Sequence, residues 1–246
     1  MNTVKQGSAL ILALWTLFML AALAVAVATQ VSAVLRLAGG LRSGQTARAL
    51  AVAGAETAIA DLVAGSPDIT NNPSRFKDAA VLDGGSFSVY YASDNGGSTV
   101  TNFGLGPESR KLNLNRAGTL EIAVLLKERG LLSASAASAA ADAIVDWRDR
   151  DSIPLTGGAE DQYYGSLTIP YPCRDSDMTV VEELLLVKGV TGDVLIRVRP
   201  FVTVLSGECF GGTSVGYAIA GGVTAAVARV DFAVDRAGRK CFWYEQ

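Results

Sequence analysis

The chain reads as an α+β protein: a long N-terminal transmembrane helix, then a small antiparallel sheet interrupted by a large inserted α-helical domain. Three observations predict this. An uncharged, mostly apolar run extends from Ser8 to Leu35 and keeps a helical pattern beyond it. Segments with strand character lie on both sides of the middle of the chain, at 85–103 and again from 194 to 244. Between them, apolar residues recur at helical spacing from Ala117 to Val187.

The apolar run exceeds the roughly 20 residues a helix needs to cross a bilayer. It is also longer than the roughly 7–15 apolar residues of a secretory signal. The small residues from Ala24 to Ala33 do not end it, because the helical pattern continues through them. Lys5-Gln6-Gly7 places a basic tip and a glycine just before the run. That arrangement predicts cleavage ahead of the run, with the helix kept on the mature protein and the bulk of the chain outside the cytoplasm. The expected organisation is a leader over 1–7 and a helix over 8–64, of which about 8–35 spans the membrane. A first β part then covers 65–112, the helical insertion 113–192, and a second β part 193–246.

Each element has a local reason. From Gln45 to Val63, Leu50, Ala51, Ala55, Ala58, Ile59, Leu62 and Val63 form one helical face. Gly39-Gly40 is the point where a bend or break is expected. If it only bends, Ser8 to Ala64 makes one helix of roughly 85 Å, stopped by Gly65-Ser66-Pro67-Asp68. Residues 86–91 alternate, Asp94-Asn95-Gly96-Gly97 turns, and 98–103 returns as the second arm of a hairpin. Residues 111–115 read as a short strand entering a cap. Helices follow over Ala117–Arg129, closed by Gly130, over Ser133–Trp147, and over Thr179–Val187, with Gly189 after it. Strands are expected at Val194–Leu205, Val223–Val234 and Lys240–Tyr244, with a turn at Asp235–Gly238.

Composition narrows the function. About 180 residues lie beyond the helix, enough for one sizeable or two small cores. A net charge of −3 argues against a nucleic-acid partner, which leaves a basic footprint. The chain has no histidine, so no histidine base, zinc ligand or triad member exists. The G-x-S-x-G pattern at Gly212–Gly216 therefore lacks a base for its serine, and its flanks read as a glycine-rich loop. The three cysteines, Cys173, Cys209 and Cys241, are widely spaced. Outside the cytoplasm Cys209 and Cys241 can bridge two segments and leave Cys173 free; otherwise all three are unpaired small hydrophobes.

The chemistry that stands out is acidic. Asp146, Asp149 and Asp151 leave a helix, Glu160 and Asp161 follow two glycines in a loop, and Asp175 and Asp177 lie in another. Carboxylates on loops suit a hard cation, Ca²⁺ outside the cytoplasm, although the spacing is not that of an EF-hand. Helix caps and ion pairs with Arg148, Arg150 and Arg174 are the alternative.

Five stretches together resemble one family. Gly7 before Ser8-Ala9-Leu10-Ile11 looks like a prepilin-type leader, and LNLNRA at 112–117, IVDWRDRD at 144–151, GAEDQYY at 158–164 and EELLLVKGV at 182–190 follow in order. Over about Gly7 to Leu205 the chain resembles the K-type minor pseudopilins of the type II secretion system. The resemblance implies a pilin-like fold, with a prepilin peptidase cutting after Gly7 and methylating Ser8. It implies partnership with the I-type and J-type minor pseudopilins and other pseudopilins. It places the helix in inner-membrane lipid and the globular part in the periplasm, at the tip of a short pseudopilus. It also implies calcium near the insertion, for which Asp146, Asp149, Asp151, Glu160 and Asp161 are the candidates. Leu12 stands where most pilin-like proteins carry a glutamate that offsets the neighbour's buried amine. A subunit with nothing above it needs no such offset, which suits a tip.

Two other readings share features. A type IV pilus minor pilin has the same leader and helix but is not expected to carry an acidic helical insertion. Residues 113–126 and 184–190 also resemble the helix-hairpin-helix elements of membrane-anchored DNA receptors. The insertion, however, holds more acids than bases, against the phosphate contacts that DNA binding needs.

Overall fold

The computed structural model describes residues 3–81, 85–95 and 98–246, with side chains from Ile11 onward. It has the expected α+β architecture. Helix α1 runs unbroken over Thr3–Val63, so Gly39-Gly40 neither stops nor splits it. At 1.5 Å per residue it is roughly 90 Å long. Its side chains from Ile11 to Leu41 are exposed, and this part is long and apolar enough to cross a membrane. The helix ends where predicted: Gly65 takes φ +72°, its N–H donates to Leu62 O, and Ser66 N–H donates to Asp61 O.

The remaining elements are α2 (Pro73–Phe76), β1 (Ala79–Val81), β2 (Gly85–Asn95), β3 (Ser98–Phe103), β4 (Gly106–Pro107), β5 (Leu112–Asn113), α3 (Thr119–Glu128), α4 (Ala134–Arg148), α5 (Asp161–Gly165), α6 (Gly192–Val198), β6 (Val202–Thr203), β7 (Cys209–Ala220), β8 (Val223–Asp235) and β9 (Lys240–Glu245). The main sheet has the order β1-β2-β7-β8-β9, with β3 on β2 and β4 on β7, and every pairing is antiparallel. β5 and β6 form a separate parallel pair. α3 to α6 lie between these two short strands.

Two cores result. One lies between α1 and the sheet and includes Ala51, Ala55, Ala58, Ile59, Leu62, Phe87, Val89, Leu105, Val230, Phe232 and Val234. The predicted face of α1 supplies its helix side, except for Val63, which points to solvent. The other holds the helices together around Ile122, Leu126, Ala140, Ile144, Trp147, Tyr164 and Leu184.

The hairpin forms as expected, with Tyr90 opposite Phe103 and Asn95 opposite Ser98. Of its turn, Gly96 and Gly97 lie outside the described residues. The C-terminal turn also forms: Asp235 Oδ1 accepts from the N–H groups of Ala237 and Arg239, and Gly238 takes φ +78°. Ser133, expected as the first residue of the helix, is its N-cap: its hydroxyl accepts from Ala136 N–H, and α4 begins at Ala134.

Three expectations are corrected. The stretch read as a glycine-rich loop, Glu208 to Gly216, leads into and forms much of β7, the central strand. Its glycines answer to packing. A Cβ on Gly216 would meet Ala47 O at 2.1 Å and Ala51 N at 2.4 Å, and one on Gly54 would meet Ser214 Oγ at 2.4 Å. α1 therefore lies almost backbone to backbone on β7, and Ser214 is a fully buried strand residue at that contact. Second, Val194–Leu205 is not one strand. Thr191 caps α6 by accepting from Val194 N–H, and the chain is extended only at β6. Val194, Leu195 and Val198 face the helical core, so tertiary packing overrides the β preference of valine. Third, the helix expected at Thr179–Val187 is a 3₁₀ segment over Val181–Leu186, followed by Gly189 at φ +82°. All three cysteines are free thiols, with Cys241 beside Cys209.

Candidate metal centre

The acidic residues gather where α4 ends, where α5 begins and in the loop after α5. Asp149 is the C-cap of α4, and Asp151 follows on the exposed turn, its Oδ1 accepting from Ile153 N–H at 2.8 Å. Glu160 is the N-cap of α5 and is only 5% exposed. One oxygen each from Asp149, Asp151 and Glu160 lie within 4.8 Å of one another, and so do atoms of Glu160, Cys173 and Asp175. Two oxygens bound to one Ca²⁺ at 2.3–2.6 Å are at most about 5 Å apart, so each group is compact enough to share an ion.

The charge balance supports a cation. Asp149 Oδ1, Glu160 Oε1 and Asp175 Oδ1 are buried and accept no hydrogen bond from the described residues. A buried carboxylate oxygen without a donor is costly. Burial, with Asp146 and Asp149 adding repulsion, pushes the Glu160 carboxyl up to about 7. Burial also raises Asp149, with Asp151 and Asp175 adding to it. Asp175 holds φ +51°, unusual for a residue other than glycine. A divalent cation held by Asp149, Asp151 and Glu160 would supply the missing partner for the Asp149 and Glu160 oxygens, so that donor set fits one.

Asp146 and Asp161 build the cluster's walls. Asp146 is fully buried, and its Oδ2 accepts from Ala159 N–H at 2.8 Å and Leu155 N–H at 3.1 Å. A Cβ on residue 158 would lie 1.8 Å from Asp146 Oδ2, so glycine is required there. Asp161 Oδ1 accepts from Cys173 N–H at 2.7 Å, tying the two loops together. Lys188 Nζ donates to Gly158 O at 2.8 Å and Gly157 O at 3.2 Å, clamping the loop from the other side. Behind it, Tyr164 packs edge-on to Trp147 and stacks with Tyr171.

The alternative of ion pairs with the neighbouring arginines does not describe Arg148 or Arg174. Arg148 donates to the carbonyls of Leu114 and Ala117, and Arg174 pairs with Glu183. By sequence Asp175 is one loop acid among several and Cys173 is only a lone thiol, so neither is marked as part of the cluster. Their proximity to Glu160 comes from the return of the loop after α5.

Residues 109–207 match the family model described as "Type II secretion system (T2SS), protein K". The chain is similar to a Type II secretion system protein K from Pectobacterium carotovorum subsp. carotovorum, 38% identical over 63 residues, 26% of this chain and 19% of the relative. One from Aeromonas hydrophila is 40% identical over 68 residues, 27% of this chain and 20% of the relative. The chain thus covers about a fifth of the length of these curated relatives. In fold, it matches a chain of the crystal structure of the GspK-GspI-GspJ complex from the enterotoxigenic Escherichia coli Type 2 Secretion System. The TM-score is 0.56 at 10% identity, covering 88% of this chain and 99% of that one. These likenesses support the K-type resemblance over the type IV pilin and DNA-receptor readings.

Proposed function

We propose that this chain is a K-type minor pseudopilin that initiates or caps the pseudopilus through which type II secretion exports folded proteins. The observation that carries the reading is the helical segment set between β5 and β6, within the stretch that matches the protein K family model. In this reading α1 anchors the protein in the inner membrane, packs against the helices of sister subunits, and holds the globular part in the periplasm. The surface of that part joins I-type and J-type minor pseudopilins. The family is a component of a secretion system, and no catalytic residue is proposed.

Asp149, Asp151 and Glu160 would hold calcium. The ion supplies positive charge where buried carboxylates converge. The chain's own residues do the rest: Asp146 and Asp161 orient the loops, Lys188 fixes the Gly157–Gly158 backbone, and the aromatic set excludes water from one side. With these loops ordered, the insertion presents one fixed surface to a partner.

Co-expression with a prepilin peptidase and with I-type and J-type partners tests the reading. Intact mass should show loss of residues 1–7 and a methylated Ser8, both blocked by Gly7→Ala, and the three pseudopilins should co-purify. An uncut chain, or a cut between Ala28 and Ala33, would remove the prepilin reading. A cut chain that ignores both partners would remove the tip role.

A further inference from the structure

The β7–β8 hairpin ends in a tip that no other described residue covers. Ala220 pairs with Val223 across Gly221-Gly222, whose φ angles of +60° and +81° make the tight two-residue turn that glycine permits. From Cys209 to Ala228 the hairpin carries no charged residue. Ile219 to Ala225 are all exposed, as is Val227, and Val223 is 67% exposed. Strands that face water are ordinarily guarded by charged side chains. A bare apolar tip instead marks a contact with something other than water.

Its position along α1 identifies that partner. A Cβ on Gly54 would lie 2.4 Å from Ser214 Oγ, and one on Gly216 would meet Ala47 and Ala51, so β7 descends α1 toward its apolar half. β9 descends the same way, from the Lys240–Glu56 pair to the Arg48–Glu245 pair. Beyond Gly216, at about 3.3 Å per residue, Gly221 lies about 16 Å further down, the rise of about 11 helical residues. The tip is therefore level with roughly residue 40 of α1, while the uncharged run from Ser8 ends at Leu35. That run is about 42 Å long, which matches a bilayer of about 40–45 Å with its headgroups. A Cβ on Gly40 or Gly44 would meet nothing within 4 Å, so the tip overhangs the helix freely at that height. Arg36 and Arg42 are exposed on the same stretch and form no ion pair among the described residues, whereas Arg48 has Glu245. Cations at that level meet lipid phosphates.

The geometry points to a second membrane contact: the hairpin tip, from Ile219 to Val227, seats in the headgroup layer of the bilayer that α1 crosses, beside phosphates held by Arg36 and Arg42. This rests on the reading of α1 as a membrane anchor. Small residues at the turn let the tip enter between headgroups, and apolar side chains with nearby arginines are the pattern of interfacial binding. A single helix leaves the globular part free to rotate about its axis. A second contact fixes which face of the sheet and of the insertion is turned toward a neighbouring subunit.

The test uses the full chain with Cys241→Ser, which removes the exposed thiol and leaves Cys173 and Cys209 buried. Val223→Cys at the tip, Ala237→Cys in the turn at the other end of β8 and Leu23→Cys in α1 are made singly and labelled with an environment-sensitive fluorophore. The unsubstituted background chain gives the blank. Vesicles of phosphatidylcholine with phosphatidylglycerol carry a nitroxide either on the headgroup or deep in the acyl chain. The headgroup nitroxide should quench the Val223 label several-fold more than the Ala237 label, and the deep nitroxide should quench the Leu23 label. Omitting phosphatidylglycerol, or adding Arg36→Gln with Arg42→Gln, should weaken quenching at Val223 and spare it at Leu23. Quenching at Val223 that ignores both changes would overturn the role of the arginines. A quenched Leu23 label with an unquenched Val223 label would overturn the inference and leave the anchor standing. A blue-shifted Val223 label that no lipid nitroxide reaches would do the same, by showing a protein on the tip. Equal quenching at Val223 and Ala237 would also overturn it, because the label itself would then drive the contact. An unquenched Leu23 label would remove the anchor reading and this inference with it.

Discussion

Arg199 joins the two halves of the globular part. Its guanidinium reaches Glu182 at 2.8 Å, in the segment leading to α6, and Asp231 at 3.3 Å, on β8 of the main sheet. Asp231 is 5% exposed and also accepts from Thr213 Oγ1 and from Arg229. The helical core and the sheet core are separate apolar clusters, and this charged network ties one to the other. Arg199→Met keeps the stem and removes both bonds. Because Thr213 and Arg229 still partner Asp231, the expected loss is about 1–3 kcal/mol. Faster amide exchange in Val202, Thr203 and Asp231 than elsewhere is the measurement that checks it. Uniform exchange would show that the network does not hold the halves together.

The contact between α1 and β7 depends on absent side chains. Gly216→Val would drive a side chain into the Ala47 carbonyl and the Ala51 amide. Overpacking of this kind costs about 1–3 kcal/mol, more where backbone must move. Gly44 has nothing within 4 Å of its would-be Cβ, so Gly44→Ala is expected to be neutral or slightly stabilising. Thermal unfolding of the two variants side by side should show the first falling and the second holding.

Glu160 sets a pH dependence whose sign is fixed by its raised carboxyl. Its folded-state value near 7 lies above the ordinary 4.5, so its protonated form is favoured by folding. The metal-free chain therefore has this contribution in full below pH 4.5 and loses it as pH rises through 7. Calcium needs the ionised form, so its affinity should fall about tenfold per pH unit below 7. The gap in melting temperature between calcium-loaded and metal-free protein should widen from pH 5 to pH 8. Glu160→Gln should abolish calcium binding and raise the melting temperature of the metal-free chain at pH 8.

Ligands and wall residues should separate in experiment. Asp149→Asn is expected to weaken calcium binding more than tenfold with little change in metal-free stability, because Oδ1 has no donor to lose. Gly158→Ala acts differently, forcing Asp146 away from the Leu155 and Ala159 amides. It should lower stability by about 1–3 kcal/mol as well as calcium affinity. Calorimetric binding and thermal melts of both variants check this distinction.

By itself, the sequence determined what local chemistry controls. The apolar run, the helical face from Leu50 to Leu62, the helix beginning near Ser133, the hairpin arms and the Asp235–Gly238 turn were legible because each rests on residues a few positions apart. So was the acidic character of the loops around Asp149, Asp151 and Glu160. Only the tertiary structure decided that Gly211–Gly216 is a central strand, since Gly216 answers to α1, more than 150 residues away in the chain, and Gly211 and Gly212 to Glu108 and Leu105. Likewise, Val194 to Val198 is helical because one side of it faces Leu126 and Ile144 in a core assembled from distant segments. Asp146 and Glu160 were equally plausible ligands by type. Folding saturates the first with backbone amides and leaves the second buried without a donor beside Cys173 and Asp175, and such a difference arises only when loops from separate parts of the chain converge.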